Sequence, residues 1–210
     1  MQSVYPIIDT GVCRARGIAP LDLAHACLRG GARLLQLRFK GGAGAEFLAT
    51  AEQLVALARS FGAAVVINDR ADIALMSGAA GVHVGQDDLP VEQVRGLLDS
   101  GAIVGVSTHG PEQVDAAVAA CPTYIAVGPV FDTATKETGY SARGLDLVRH
   151  AAGRGIPVVA IGGITIANAG SVFAAGASSV AVIGDLVAGR DPEAQTRAFL
   201  THPSAPGSTA

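Results

Sequence analysis

Short apolar runs alternate along the chain with longer segments in which apolar residues recur at helical spacing. Eight of the runs are apolar at consecutive positions rather than at every second one, which is typical of parallel strands covered on both faces. The predicted strands cover residues 4–9, 34–38, 64–68, 81–84, 103–106, 124–127, 157–161 and 179–183. Helices are predicted over 46–61, 90–98 and 111–120, with others beginning at Thr165 and Asp191.

This alternation places the chain in the α/β class, as a single-domain (β/α)8 TIM barrel with eight parallel strands. Eight strands in about 180 residues give a repeat of about 25 residues, which suits a compact barrel. The alternative is an open doubly wound sheet, which often carries a Gly-rich first βα turn, and Asp9-Thr10-Gly11-Val12 is not such a turn. We expect one domain over residues 1–200 and a disordered tail over 201–210.

The charge balance disfavours some classes of partner. The 210 residues include 15 basic and 18 acidic side chains, for a formal charge of −3, whereas nucleic-acid and acidic-membrane binders usually carry a basic excess. Residues 155–184 contain no charged side chain, but Pro157, Gly162 and Gly163 interrupt them. We therefore predict a buried α/β segment there, and no membrane span.

The cysteines and the N-terminus indicate a compartment. Cys13, Cys27 and Cys121 are an odd number without CxxC spacing, so neither a disulfide framework nor a zinc knuckle is predicted. The N-terminus lacks a basic region followed by an apolar stretch, so no signal peptide is expected. These features favour a reducing, cytoplasmic location, and they leave homo-oligomerisation open.

Polar residues collect where the predicted strands end, and a parallel barrel brings those ends to the face that carries the active site in barrel enzymes. The second strand ends Gln36-Leu37-Arg38-Phe39-Lys40, in which residues 36, 38 and 40 alternate and are expected to point the same way. Three long polar groups at the barrel mouth predict an anion site. The alternative, an exposed edge strand, is disfavoured because a closed barrel has no edge.

Two carboxylates follow neighbouring predicted strands. Asp69 follows the third strand in Asn68-Asp69-Arg70, and Asp88 follows the fourth. Such a pair suits Mg²⁺, which accepts one or two carboxylates and takes its other ligands from water and substrate phosphate. The alternative is that Asp69 and Asp88 cap the helices that follow them.

The segment after the sixth strand is the longest predicted loop, over residues 128–143. It contains Thr133, Thr135 and Lys136, whose hydroxyl and ammonium groups suit phosphate oxygens. Its length and its two Gly residues suit a lid that closes over a substrate. The alternative is a solvated polar loop.

Other strand ends add a hydroxyl and backbone amides. The fifth strand is followed by Ser107 and His109, whose spacing does not establish a nucleophile and its base, so Ser107 is predicted to contact substrate and His109 to be a polar loop residue. Gly163 and Gly184 follow the last two strands, where backbone N–H groups form a frequent phosphate site of barrels. Tight turns alone are the alternative.

Together these residues predict two anion sites at one barrel mouth. One is cationic and metal-assisted, and it consists of Arg38, Lys40, Lys136, Asp69 and Asp88. The other is built from hydroxyls and backbone amides, and it consists of Thr133, Thr135, Gly163 and Gly184. This pattern is typical of a transferase or lyase that acts on phosphorylated small molecules.

At these positions the sequence resembles the thiamine phosphate synthase family, over about residues 5–199. The resemblance is carried by Gln-Leu-Arg-x-Lys at 36–40, Asn-Asp-Arg at 68–70, Gly-Val-His-Val-Gly-Gln-Asp-Asp at 81–88, Gly-Val-Ser-Thr-His at 105–109, Gly-Pro-Val-Phe-x-Thr-x-Thr-Lys at 128–136 and Ile-Gly-Gly-Ile at 161–164. Single motifs are modestly specific, but six in this order with barrel spacing are strongly so.

The resemblance implies an enzyme that joins a hydroxymethylpyrimidine diphosphate to a thiazole phosphate, releasing diphosphate and forming thiamine monophosphate. It implies pyrimidine-diphosphate contacts from Gln36, Arg38, Lys40, Asn68, Ser107 and Lys136. It implies thiazole-phosphate contacts from Thr133, Thr135, Gly163, Ile183 and Gly184, and Mg²⁺ ligation by Asp69 and Asp88. Departing diphosphate is then stabilised by the catalytic cations Arg38, Lys40 and Lys136.

The resemblance further implies that the carbon–oxygen bond breaks first, that the aminopyrimidine ring delocalises the cation, and that the thiazole nitrogen then adds. Two positions depart from the family, Phe39 where many members carry Glu and Gly184 where many carry Ser.

A thiazole tautomerase-like isomerase is the nearest alternative function, with His109 as its acid or base. That branch tends to lose the metal Asp and the Thr-x-Thr-Lys segment, and this chain has both. A non-catalytic thiamine-pathway binding protein is a second alternative, and it would need neither.

Overall fold

Eight parallel strands close into a barrel in the order in which they occur along the chain. The computed structural model describes residues 1–133, 141–189 and 191–207. The strands are β1 (Val4–Asp9), β2 (Leu34–Arg38), β3 (Ala64–Asn68), β4 (Gly81–Val84), β5 (Ile103–Thr108), β6 (Tyr124–Val127), β7 (Val158–Ile161) and β8 (Ser179–Val182). The barrel closes because β1 pairs with both β2 and β8. The predicted (β/α)8 TIM barrel is confirmed.

Helices surround the barrel and follow its strands. In the described ranges they are α1 (Thr10–Arg16), α2 (Pro20–Arg29), α3 (Gly44–Ser60), α4 (Ala71–Ser77), α5 (Val91–Leu97), α6 (Pro111–Ala119), α7 (Gly144–Ala151), α8 (Ala169–Ala174) and α9 (Pro192–Leu200). A short 3-10 helix, Gly184–Leu186, follows β8. Within these ranges, no helix has the length and apolar character needed to cross a bilayer.

Local chemistry sets the ends of these helices. The Asp9 carboxylate caps α1 by accepting a hydrogen bond from the Val12 N–H at 3.0 Å, and Gly17 ends that helix in a left-handed conformation at φ 65°. Asp191 caps α9 in the same way, through the Ala194 N–H at 2.9 Å. The Asp9 cap thereby fixes the turn between β1 and α1 beside the end of β2.

The barrel interior holds a small cluster of its own, separate from the core between strands and helices. Its buried members are Tyr5, Ile7, Val66, Tyr124, Ala126, Val159 and Ala181. Gly105 on β5 makes room for one of the two tyrosines, because a Cβ at this position would lie 2.1 Å from the Tyr124 ring. Two phenol rings therefore fill the interior of the barrel, edge to face with ring centroids 5.7 Å apart.

Two sequence-based expectations differ from the structure. The helix expected to begin at Thr165 begins at Ala169, because side-chain hydrogen bonds hold the intervening residues in turns; the Thr165 N–H, for example, donates to Asn168 Oδ1 at 2.8 Å. Of the tail expected to be disordered over 201–210, residues 201–207 are described with turns and a buried Ala205, and residues 208–210 lie outside the described part of the chain. The reason is that Ala205 joins the core between strands and helices.

Candidate active site

A cavity of about 440 Å³ opens at the carboxyl ends of the strands. Predicted site residues line it from several sides, namely Gln36, Arg38, Asn68, Ser107, Thr133, Gly163, Ile183 and Gly184. Lys40, Asp69 and Asp88 lie at neighbouring strand ends and are not among its lining residues. Thr135 and Lys136 fall within residues 134–140, outside the part of the chain that the structure describes.

Arg38 is held in place by a carboxylate that the sequence patterns did not single out. Its Nη1 donates to Asp9 Oδ2 in an ion pair, in which the Asp9 side chain is 3% exposed and that of Arg38 13%. The other oxygen of Asp9 caps α1. Asp9 therefore couples the helix start to the direction of the guanidinium, and its position at the end of β1 was the available signal.

Lys40 lies two residues beyond the end of β2, so the strand alternation that predicted its direction does not reach it. Its backbone N–H donates to Thr10 Oγ1 at 2.9 Å. Its Nζ lies 3.8 Å from Asp69 Oδ2, between half-exposed side chains. Lys40 therefore lies against the carboxylate after β3, which belongs to the same predicted anion site.

Neither predicted metal ligand caps a helix. The N-cap residues of α4 and α5 are Arg70 and Pro90, and neither helix has a side-chain cap. Asp88 Oδ2 instead accepts a hydrogen bond from the Gly85 N–H at 2.7 Å. Asp69 has a left-handed backbone at φ 66°, which is uncommon for a residue other than Gly and is typical of functional sites.

Two predicted metal ligands, Asp69 and Asp88, follow β3 and β4, and both are carboxylates. Among the described residues, no group of three or more His, Cys, Asp or Glu side chains is arranged to hold a metal ion. Mg²⁺ usually binds one or two carboxylates and completes its shell with water and substrate phosphates. Asp69 and Asp88 match that requirement in number and chemistry.

The segments after β7 and β8 bring backbone to the cavity. Gly163 has φ 62°, and a Cβ there would lie 2.5 Å from the carbonyl oxygen of Asp132, so a larger residue is excluded. The Ile166 N–H is already engaged, since it donates to Asp185 Oδ2 at 3.1 Å. The backbone that lines the cavity here includes that of Gly163 after β7 and that of Gly184, the first residue of the short 3-10 helix after β8.

The inner wall of the cavity contains a hydrogen-bonded network whose two tyrosines, Tyr5 and Tyr124, the sequence patterns did not single out. The Gln36 side-chain amide donates to the Tyr5 hydroxyl at 3.3 Å, and the Tyr5 and Tyr124 hydroxyls lie 3.2 Å apart. His83 then bridges Tyr124 and Ser107 through its two ring nitrogens, at 2.9 and 2.8 Å. Burial raises the pKa of the Tyr5 and Tyr124 hydroxyls well above the ordinary value for tyrosine, so both remain protonated.

Two further side chains bear on the sequence-based expectations. His109 lines the cavity, and its Nδ1 lies 2.6 Å from the carbonyl oxygen of Gly128, which makes Nδ1 the protonated nitrogen. Phe39, which departs from the family pattern, stacks on Phe47 of α3 with ring centroids 4.8 Å apart. Phe39 therefore packs on the helix side of the barrel and is not among the residues that line the cavity.

The Asp9–Arg38 pair makes a prediction about stability. Asp9→Asn should lower the free energy of unfolding, because breaking a buried ion pair costs about 3–5 kcal/mol. Arg38 is partly exposed to the cavity, so we expect a loss near the lower end of this range. Asp9→Ala should cost about 1 kcal/mol more, because Asn still caps α1 and Ala does not. Urea unfolding at neutral pH measures both, and an Asp9→Asn protein as stable as wild type would contradict the pairing.

Known proteins resemble this chain in both sequence and structure. A family model described as thiamine monophosphate synthase matches residues 4–186. The thiamine-phosphate synthase of Roseiflexus castenholzii is 43% identical over 197 residues, which cover 93% of this chain and 86% of the relative. That of Laribacter hongkongensis is 43% identical over 196 residues, which cover 93% and 92%. The structure of thiamine phosphate pyrophosphorylase from Pyrococcus furiosus superposes with a TM-score of 0.84 at 29% identity, over 94% of this chain and 93% of that one.

Proposed function

The chain belongs to the thiamine monophosphate synthase family, and from that premise we propose that its cavity joins 4-amino-2-methyl-5-hydroxymethylpyrimidine diphosphate to 4-methyl-5-(2-phosphoethyl)thiazole. Diphosphate is released and thiamine monophosphate is formed, so the chain is a transferase. One observation carries this proposal: a single cavity is lined by Arg38 at the end of β2 and by the backbone of Gly163 and Gly184 after β7 and β8. It thus offers one site for each of two phosphorylated substrates. Product formation that requires both substrates is the test.

The β2 and β3 side of the cavity suits the pyrimidine diphosphate. A guanidinium has five N–H donors in a planar fork, and Asp9 accepts at Nη1 of Arg38, which leaves donors for phosphate oxygens. Gln36, Asn68 and Ser107 add neutral polar groups for the aminopyrimidine and its ester. Lys40 and, from the sequence, Lys136 add positive charge to this end.

The β7 and β8 side suits the thiazole phosphate. Glycine lets a phosphate approach the backbone closely, and Thr133, Gly163, Ile183 and Gly184 all line this part of the cavity. Gly184 can offer its backbone but not the hydroxyl that a Ser would supply. Thr135 is assigned to the same contact from the sequence.

Magnesium belongs with the diphosphate in this proposal. Asp69 and Asp88 would hold it, and when bound it supplies positive charge to the diphosphate oxygens. Lys40, 3.8 Å from Asp69, places a second positive charge beside the same carboxylate.

The chain's own residues stabilise a leaving group rather than form a covalent intermediate. As the carbon–oxygen bond breaks, negative charge grows on diphosphate, and fixed cations such as Arg38 stabilise it without reorganising. Tyr5 and Tyr124 stay protonated, so they do not act as bases. Apolar side chains such as Ile7, Val159 and Ile161 line the remaining wall and limit water that would capture the pyrimidine cation.

The cysteines support the expected cytoplasmic location. Cys13, Cys27 and Cys121 are free thiols. Burial raises the pKa of Cys13 and Cys27 to about 11, so both remain protonated thiols within the core. The thiol of Cys121 is exposed, and an exposed free thiol fits a reducing compartment.

The metal assignment predicts a changed magnesium requirement. Asp69→Asn and Asp88→Asn should each raise the Mg²⁺ concentration for half-maximal activity by roughly ten-fold or more, since losing an interaction with a charged group costs about 1.5–3 kcal/mol. The amide oxygen introduced by Asp88→Asn can still accept from the Gly85 N–H, so the turn is preserved. The control is Asp87→Asn, which removes a neighbouring exposed carboxylate. Unchanged Mg²⁺ titrations in both Asp69→Asn and Asp88→Asn would rule out the assignment.

A further inference from the structure

His83 is a buried histidine to which the proposed reaction gives no part. It lies on β4 and is 7% exposed. Its Nδ1 lies 2.9 Å from the Tyr124 hydroxyl oxygen, and its Nε2 lies 2.8 Å from Ser107 Oγ. Ser107, a proposed contact of the pyrimidine diphosphate, and His83 both line the cavity, and the hydrogen bond between them links His83 to that contact.

Packing fixes the plane of the His83 ring. The imidazole stacks on Tyr124 with ring centroids 5.5 Å apart and an angle of 14° between planes. Tyr124 is itself held edge-on against Tyr5, and it fills the space that Gly105 leaves open. The imidazole therefore cannot turn away from Ser107 without disturbing the inner core of the barrel.

The network joins two groups that face the same substrate. From His83 it runs through Tyr124 to Tyr5, whose hydroxyl accepts a hydrogen bond from Gln36 Nε2 at 3.3 Å. Its two ends, Gln36 and Ser107, stand on β2 and β5. Gln36 and Ser107, both proposed pyrimidine contacts, are thus connected by hydrogen bonds through the barrel interior.

Hydrogen-bonding capacity explains why a histidine suits this place. A neutral imidazole donates at one nitrogen and accepts at the other, while a Ser or Tyr hydroxyl can do both. Because the Tyr124 hydroxyl donates its proton to Tyr5, Nδ1 of His83 donates to Tyr124 and Nε2 accepts from Ser107. Ser107 Oγ therefore keeps acceptor capacity for the substrate, which suits the amino group of the pyrimidine. A free serine hydroxyl would sample several rotamers, and the bond to His83 selects one of them.

We propose that His83 is a positioning residue that acts through Ser107, by holding Oγ where it meets the pyrimidine diphosphate. This inference rests on the proposed function of the cavity. It assigns His83 no proton transfer and no contact with the thiazole phosphate.

Two amide substitutions separate the two bonds of His83. The Asn amide reaches about as far as Nδ1, so His83→Asn keeps the bond to Tyr124 and loses that to Ser107. The Gln amide reaches about as far as Nε2, so His83→Gln keeps the bond to Ser107. We expect His83→Asn to lower kcat/KM for the pyrimidine diphosphate by roughly ten-fold, the upper end of what one neutral hydrogen bond contributes. His83→Gln should stay within roughly three-fold of wild type, and KM for the thiazole phosphate should not change in either variant.

A double-mutant cycle supplies the decisive control. In a Ser107→Ala background, His83→Asn should have no further effect on kcat/KM, because the group through which it acts is gone. Full additivity of the two changes, or a wild-type value for His83→Asn, would overturn the inference. If His83→Asn does not fold, Tyr124→Phe tests the same network, because it keeps the ring packing and releases Nδ1; a wild-type value there would also overturn it.

The same experiments distinguish a failure of this inference from a failure of the proposed function on which it rests. Wild-type protein that forms no thiamine monophosphate overturns the proposed function, and the inference with it. Normal wild-type turnover with an unaffected His83→Asn variant overturns the inference alone. Normal turnover with the selective, non-additive loss supports both.

Discussion

Replacing Arg38 with Ala is expected to reduce diphosphate release by a factor on the order of 10²–10³, as for other fixed donors to a developing anion. Arg38 lines the cavity, and Asp9 holds its guanidinium in one direction. Its charge is therefore in place before the diphosphate departs. Steady-state assays of diphosphate release with both substrates measure the loss.

Arg38→Ala also leaves the buried Asp9 carboxylate without its partner, so a loss of activity must be separated from a loss of fold. The double variant Asp9→Asn with Arg38→Ala removes both charges and keeps the cap of α1. It should regain stability in urea unfolding while diphosphate release stays low. Recovery of release in the double variant would show that Arg38 serves the fold and not the leaving group.

His109→Ala is the matched control among residues that line the cavity. Departure of a diphosphate stabilised by cations needs no side-chain proton transfer, and the Nδ1 of His109 is already bonded to the Gly128 carbonyl. The variant should keep most diphosphate release. A thiazole isomerase would show the opposite order, with His109 essential and Arg38 dispensable.

Lys136→Ala is expected to lower kcat by a factor on the order of 10²–10³. Its ammonium is placed by the sequence in the segment after β6, beside Thr133 and Thr135, where it would meet charge that grows on the diphosphate. Lys136→Arg keeps the charge and should retain more activity than the Ala variant. Near-normal turnover of Lys136→Ala would show that this segment takes no part in the chemistry.

The barrel was predictable from sequence because its signal is local and repeated. Eight continuous apolar runs marked the strands, and β1, β2, β3, β4 and β6 have the bounds that the runs predicted. The helices α1, α2 and α7 have no counterpart among the predicted helices, and the helix predicted from Thr165 is α8, which begins four residues later. The seven residues of α1 contain too few turns for an apolar period to show. Helix boundaries moved where side chains cap turns, as at Asn168.

The site was predictable only where polar residues follow strands. Arg38, Asn68 and Ser107 stood out against apolar runs, and all three line the cavity. Tyr5 and Tyr124 lie inside such runs, and only the closed barrel shows that they face inward and meet. The pairing of Arg38 with Asp9 joins residues 29 positions apart, so no local pattern contains it.

The most direct test of the proposed function is an assay of purified wild-type protein with both substrates, before and after Mg²⁺ is removed by a chelator. The predicted result is one diphosphate released for each thiamine monophosphate formed, with no release when either substrate or Mg²⁺ is missing. Failure to form thiamine monophosphate with both substrates and Mg²⁺ present would contradict this function.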